Sequence, residues 1–174
     1  MNNPDKLKLL EKKLKQTENR LMLERNKRRF METKQKRSYG KMFVIAGAGN
    51  HVDITVMQDR DIIEMGALVI TAKCDSFNIG TILGALHLIF DKCQDSSFKS
   101  ACVDLGISFY QTKKLSDPEC FLLGVALSAK RILENTERIE KCKVIGDELF
   151  IENKRQKLER YKKYLAEKNA SMKV

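Results

Sequence analysis

A run of basic side chains near the N-terminus offers the clearest chemistry in this sequence, which is the neutralisation of phosphate groups. Between residues 24 and 37 lie seven lysines and arginines, and the acidic residues are Glu24 and Glu32 alone. This density favours phosphate contact, and a helix face that is merely solvated stays open as the alternative. The predicted nucleic-acid-binding residues are Arg25, Lys27, Arg28, Arg29, Lys34, Lys36 and Arg37.

A second basic stretch lies near the C-terminus. Ile151, Leu158 and Leu165 are seven residues apart, as on one stripe of a helix, and the remaining faces are rich in cations. The stripe favours packing against another helix, whereas the basic faces favour a second arm for phosphates, and the two interpretations are compatible. The predicted secondary basic arm consists of Lys154, Arg155, Lys157, Arg160, Lys162 and Lys163.

Metal-binding and catalytic patterns are not found. The five cysteines form no CxxC pair, and His51 and His87 are not spaced to complete a zinc site. No nucleophile–base set stands out either. We therefore expect no metal, no cofactor and no catalytic residue, and we interpret the cysteines as reduced, buried thiols.

The glycines of Gly47-Ala-Gly49 do not match a nucleotide-binding loop. A P-loop requires a lysine after its glycines, but Lys41 precedes them, and the third glycine of a dinucleotide fingerprint is missing. The segment 40–46 instead resembles residues 66–72, because both begin with glycine, continue with mostly apolar residues and end in alanine. It is interpreted as a partial copy of a core helix.

Charge is distributed unevenly along the 174 residues, whose net charge is +10. Residues 1–41 hold fourteen Lys/Arg against five Asp/Glu, and residues 135–174 hold eleven against seven. The apolar middle, residues 59–134, holds eight against ten. Two basic arms around a nearly neutral core are typical of a protein that binds a polyanion. With only two prolines in the chain, this composition favours an all-α fold.

The N-terminal arm is predicted to be a helix over residues 5–38. Its first part has heptad spacing, which allows pairing with another helix and leaves a homo-oligomer open. Glu24 and Arg28 then occupy the seam before Met31 restores an apolar residue. The apolar part of the seam comprises Leu7, Leu10, Leu14 and Leu21, with Thr17 between them.

The core is predicted to contain two helical hairpins. Gly66 and Gly84 lie on apolar stretches that a short polar loop joins, and small residues let two helices cross closely, so these two helices are expected to be partners. A shift of forty residues places Gly66 on Gly106 and Gly84 on Gly124, which indicates a tandem repeat. The hairpins are predicted near 59–92 and 99–133. The predicted helix-packing residues are Gly66, Gly84, Gly106 and Gly124.

The loops of the two hairpins carry helix-start signals. Ser116 followed by Pro118 and Glu119 forms a capping-box pattern, and Ser76 occupies the equivalent position in the first hairpin. A polar segment at 92–97 is expected to link the hairpins. Gly146 is interpreted as a break or kink in the C-terminal helix.

Two segments of the first hairpin carry a further pattern, Arg60-Asp-Ile-Ile-Glu-Met-Gly66-Ala-Leu-Val and Ile82-Leu-Gly-Ala-Leu86. This pattern, within residues 59–92, resembles the core signature of the small conjugal-transfer TraD family, which is encoded with plasmid and integrative-element transfer genes. Cys74-Asp75 stands where the family more often has a Gly-Leu turn. The resemblance implies an accessory of the DNA-processing (relaxosome) machinery, with DNA and other transfer proteins as partners.

The sequence thus predicts three regions: a basic helix at 1–38, a helical core at 39–134 and a helical extension at 135–174. We expect residues from about 56 onward to fold without the N-terminal arm. The expected function is non-catalytic binding of the DNA phosphate backbone in the cytoplasm. The alternative is a coiled-coil scaffold that binds no nucleic acid. No stretch is apolar for the ~20 residues that a membrane helix needs, so no membrane partner is expected.

Overall fold

Most of the residues that this computed structural model describes form α-helices. The described residues are 3–109 and 115–171, with side chains described at residue 8 and over 10–109 and 115–170. Within them the backbone forms no strand, so the predicted all-α class is confirmed. The helices are α1 (Asn3–Ala46), α2 (Asp59–Thr71), α3 (Ile79–Lys92), α4 (Ser96–Phe109), α5 (Asp117–Leu133) and α6 (Thr136–Ser171), with a short 3₁₀ turn at Ala48–Asn50.

The chain divides into two compact units, residues 1–35 and residues 36–174. The predicted end of the first helix at residue 38 is wrong, because α1 continues to Ala46. Its last turns belong to the second unit, where Met42 and Phe43 are fully buried. The expectation that residues from about 56 suffice for the core is corrected accordingly. We call the first unit the N-terminal arm and the second the core.

Helices α3 and α5 form the centre of the core. Residues 80–86 of α3 and 120–126 of α5 are all buried. Helix α3 packs against α5 and α6, and α5 packs in addition against α2 and α4. The rings of Phe43, Phe90 and Phe121 join these layers, with centroids 6.1 Å apart for the first two and 6.2 Å for the last two.

Helices α4 and α5 cross at a reciprocal pair of glycines. A β-carbon built on Gly106 would overlap the carbonyl oxygen of Cys120, and one built on Gly124 would overlap that of Cys102. Residues 102 and 120 each lie four residues before a glycine of the pair, so the two contacts are symmetric. Approach this close is possible only without a side chain and brings Cα–H groups to carbonyl oxygens. The two glycines of the second predicted hairpin therefore face each other.

The glycines of the first predicted hairpin have other partners. Gly84 of α3 pairs with Gly146 of α6, where the built β-carbon would overlap the carbonyl oxygen of Cys142. Gly66 of α2 pairs with Gly40 of α1, and a β-carbon on Gly40 would lie 2.8 Å from the carbonyl carbon of Ile62. The expected pairing of Gly66 with Gly84 is thus corrected. Segment 40–46, interpreted as a copy of a core helix, is the partner of α2.

Gly146 is not a break, since α6 runs through it from Thr136 to Ser171. The glycine permits the close crossing with α3, and its cost in helix propensity is offset by that packing. The first turns of the predicted C-terminal extension therefore belong to the core, where Cys142 is fully buried.

The helix starts follow local chemistry. The capping box at Ser116 is confirmed, with its backbone N–H donating to Glu119 Oε2 at 2.8 Å. For α3 the cap is Asn78 rather than Ser76, because the Asn78 side chain accepts a hydrogen bond from the Gly80 N–H at 2.9 Å. The polar link is found between the end of α3 at Lys92 and the start of α4 at Ser96.

Candidate nucleic-acid interface

The N-terminal arm presents a dense set of uncompensated cations. Residues 8–35 hold ten lysines and arginines against four glutamates. All the described side chains from residue 10 to residue 35 are exposed, and among them no cation forms an ion pair. The predicted residues in this unit are Arg25, Lys27, Arg28, Arg29 and Lys34, and each is free to contact a phosphate.

An unbroken helix arranges these cations in two sets. Residues seven apart lie two turns apart on nearly the same side, about 10.5 Å along the axis. Four cations follow this spacing and form a single stripe along the helix: Lys13, Arg20, Lys27 and Lys34. The first two were not among the predicted residues, although their seven-residue spacing was readable from the sequence. Arg25, Arg28 and Arg29 lie on another side.

The last two predicted residues, Lys36 and Arg37, belong to the core and are less available. Lys36 is half-buried, and its carbonyl group lies against Gly66. The Arg37 guanidinium lies 2.6 Å from the Asp59 carboxylate at the start of α2. Because Arg37 is already in an ion pair, a phosphate contact would add less binding free energy at this residue than at an unpaired cation. Lys36 and Arg37 are therefore expected to contribute less to phosphate binding than the cations of the arm.

The predicted secondary arm lies on exposed turns of α6. Arg155 is shared between Glu152 and Glu159, at 3.8 and 3.4 Å. The five other predicted cations have no ion pair with the described residues: Lys154, Lys157, Arg160, Lys162 and Lys163. Alternation with glutamates makes this arm less positive than the first.

A basic cleft on the core was missed in the sequence. Lys92, Arg138 and Lys141 surround a cleft of about 250 Å³ that Leu88 and Ile132 line. The three cations come from α3 and from the first turns of α6, which the crossing at Gly84 and Gly146 brings together. No local motif joins residues 92 and 138, so only the fold reveals the cleft.

Both histidines serve the ends of helices. Nδ1 of His87 lies 3.0 Å from the carbonyl oxygen of Ala46, and Nε2 of His51 lies 3.1 Å from that of Phe90. A carbonyl oxygen only accepts, so each of these ring nitrogens donates. Ala46 is the last residue of α1, and His87 supplies the donor that its carbonyl oxygen lacks within the helix. The carbonyl oxygen of Phe90 also accepts from the Cys93 N–H at 3.1 Å, so His51 adds a second donor there. The ring of His51 also stacks on Phe90, with centroids 5.5 Å apart.

The five cysteines are buried free thiols. Cys102, Cys120 and Cys142 each lie one helical turn before a crossing glycine, where a small apolar residue fits between close helices. Burial raises the pKa of all five thiols, and it raises the pKa of Cys74 and of Cys93 to about 12. Such thiols are poor nucleophiles because little thiolate forms.

The thiols are therefore expected to resist alkylation in the folded protein. At pH 8 a thiol with a pKa of about 12 is ionised in roughly one molecule in 10⁴. Native protein should react with iodoacetamide at least ~10-fold more slowly than protein in guanidinium, because unfolding restores an ordinary thiol pKa. Mass spectrometry of the labelled chain measures both rates, and equal rates would contradict the burial.

Stability should also fall in alkaline solution. The pKa of Cys74 and of Cys93 is raised to about 12 in the folded state, whereas it is near 9 in the unfolded state. The protonated thiols therefore contribute their full stability to the fold below pH 9, and this contribution is lost as the pH rises towards about 12. The urea midpoint should therefore decrease between pH 9 and pH 11. Cys74→Ala removes one of these thiols, so its midpoint should depend less steeply on pH over the same range.

The described residues contain neither a metal-binding cluster nor a membrane-spanning helix. No group of three His, Cys, Asp or Glu side chains is placed to hold a metal ion. No helix among these residues combines the length and the apolar character needed to cross a membrane. The most prominent chemical feature is thus the exposed cationic helix.

Comparison with known proteins gives no match for this chain among family models, curated proteins or solved structures.

Proposed function

We propose that this protein is a non-catalytic nucleic-acid-binding accessory of conjugative DNA transfer that acts in the cytoplasm. The observation that supports binding is the N-terminal arm, whose exposed cations outnumber its glutamates and form no ion pair with the described side chains. The conjugative context, with other DNA-transfer proteins as partners, comes from the TraD-like pattern in residues 59–92. That pattern lies on α2 and α3 of the core and includes none of the arm's residues.

The binding mechanism would be release of counterions from DNA. Each lysine or arginine that neutralises a phosphate frees a condensed cation, and the gain depends on salt concentration. Such contacts position a protein on the duplex but carry no sequence information. Little sequence preference is expected, because the arm offers cations on more than one side and no base-reading motif.

A DNA titration at several salt concentrations tests this function. The variant Arg25→Gln/Lys27→Gln/Arg28→Gln/Arg29→Gln removes four exposed cations and leaves helix propensity nearly unchanged. If all four contact phosphates, the log–log salt slope should flatten by about 3.6 on duplex DNA and by about 2.8 on a single strand. Fluorescence anisotropy measures the slope, and circular dichroism checks that the helix content is kept.

Two further variants serve as controls. Arg60→Gln/Lys130→Gln removes cations that already have partners, at 2.9 Å from Glu64 and Glu134 respectively, and should leave the slope unchanged. Lys154→Gln/Lys157→Gln/Arg160→Gln/Lys163→Gln measures the share of the secondary arm. The absence of DNA binding at low salt, or an arm variant with the wild-type slope, would mean that the arm is only a solvated face.

A helical scaffold is the second candidate function. Val144, Ile151 and Leu158 of α6 are seven residues apart and at least half exposed, and Leu165 continues the stripe. Exposed apolar stripes of this kind mark contact with another helix. A chain that binds no DNA but whose mass in solution rises with concentration would favour this function.

A further inference from the structure

The core carries an open groove that the proposed DNA binding does not use. The groove has a volume of about 400 Å³ and lies between α2, the start of α5 and the loop that precedes α2. Its apolar lining includes Met57, Met65, Leu68 and Leu122. A groove of this size accepts a few apolar side chains from a helix laid across it.

The rim of this groove is acidic. Asp53, Asp61, Glu64 and Glu119 line it, and no lysine or arginine is among its lining residues in the part of the chain that the structure describes. Three of these carboxylates accept hydrogen bonds from nearby backbone N–H groups, and Glu64 accepts one from Arg60 at 2.9 Å. A carboxylate has about four acceptor positions, so capacity for external cations remains. The groove thus suits a segment that is both apolar and cationic.

The N-terminal arm has this composition. One face of the arm's helix carries two leucines followed by two arginines, at successive spacings of seven, four and three residues: Leu14, Leu21, Arg25 and Arg28. From its N-terminal to its C-terminal end, this face is first apolar and then cationic. Leu14 and Leu21 are 61% and 54% exposed, so each side chain is available to a partner. The cation stripe that includes Lys27 and Lys34 lies on another side of the helix. One face can therefore enter an acidic groove while the other stays free.

We propose that the groove binds the N-terminal arm of a second copy of this chain. Leu14 and Leu21 enter the apolar lining, and the arginines one and two turns further on meet the acidic rim. Charge complementarity selects this occupant, because the arm carries an excess of cations and the charged groups in the described groove lining are all carboxylates. The contact joins different surfaces of two copies, so it is heterologous and repeats head to tail.

This arrangement has a specific consequence in solution. Each copy that is added leaves one free arm and one free groove, so the mass should rise beyond a dimer as concentration increases. Salt screens charges across the groove, so association should weaken as salt is raised. Sedimentation velocity at several concentrations and salt levels measures both effects on the full chain.

Mixing two variants tests the contact itself. Leu14→Gln/Leu21→Gln alters the arm without changing its charge, and Val56→Lys/Glu64→Lys places cations at the groove. Val56 is 77% exposed, so the fold tolerates a lysine there. Each variant alone should associate at least ~10-fold more weakly than wild type, since the groove contact needs both its apolar anchors and its acidic rim. Their equimolar mixture should form a dimer and nothing larger, because it contains one intact arm and one intact groove per pair.

Asp104→Lys/Ile107→Lys is the matched control, because it makes the same charge change at two exposed positions three residues apart on α4 and should associate as wild type does. If the double groove variant loses helix content, Val56→Lys alone gives the same comparison. Four results would overturn the proposal. They are a wild-type chain that stays monomeric, whatever else fills its groove; a folded groove variant that associates normally, as in arm-to-arm pairing; loss of association in the α4 control; and a mixture that stays monomeric. The arm variant keeps every cation, so it should still bind DNA in a salt-dependent way, which separates this proposal from DNA binding.

Discussion

Replacing Gly84 by alanine is expected to destabilise the protein by about 3 kcal/mol, although alanine is the better helix former. The new β-carbon would overlap the carbonyl oxygen of Cys142 and lie 2.7 Å from its carbonyl carbon. Those atoms belong to the backbone of α6 and cannot rotate away. Helices α3 and α6 would have to separate where they cross, and this would open the packing around Cys142, which is fully buried.

Chemical denaturation of wild type and variants measures this cost. Gly146→Ala should have a similar effect, since its β-carbon would overlap the carbonyl oxygen of Gly80. The double variant should lose less than the sum of the two, because helices already separated by one methyl group accommodate the second. Leucine at Gly84 or Gly124 should cost at least as much as alanine.

An exposed position gives the control for helix propensity. Ala101 is exposed on α4, so Ala101→Gly changes propensity without close packing and should cost about 1 kcal/mol. At the crossing the preference is reversed, with glycine the stabilising residue. Higher melting temperatures for both Gly84→Ala and Gly146→Ala would show that the helices do not approach as described.

Removing residues 1–55 is expected to abolish cooperative folding, whereas removing residues 1–31 should not. The longer deletion removes Tyr39, Met42, Phe43 and Ala46, which are at most 5% exposed. Truncating one buried Phe costs about 3–5 kcal/mol and one buried Met about 2–5 kcal/mol. Their sum approaches the ~5–15 kcal/mol of stability of a typical domain. The deletion also exposes Gly66 and the surface of α2 that packs on α1.

The shorter deletion keeps this whole interface. A chain that begins at Glu32 retains Thr33, which can cap the shortened helix, and all of residues 36–46. Circular dichroism melts should show one cooperative transition for this chain and a broad or absent transition for the chain that begins at residue 56. Cooperative melting of the latter would mean that the end of α1 is dispensable, as the sequence alone had indicated.

Local patterns in the sequence were sufficient for the features that depend on neighbouring residues. Few breakers and many helix-forming residues predicted an all-α chain, which the structure confirms. The capping box at Ser116 predicted the start of α5, because the cap and the carboxylate that completes it are three residues apart. The unequal charge of the arm was also readable from composition, and so were four of the six glycines at which helices cross: Gly66, Gly84, Gly106 and Gly124.

The partners of those glycines could not be read from the sequence. Gly66 pairs with Gly40, and Gly84 pairs with Gly146 sixty-two residues later, yet all three crossings use the same contact of a glycine with the carbonyl group four residues before its partner. Every such helix offers the same small, apolar face, so local sequence does not distinguish one partner from another. The same holds for the candidate interface, where Asp59 engages Arg37 from 22 residues away. Only the tertiary structure decides these pairings, because they depend on packing all six helices together without unfilled space.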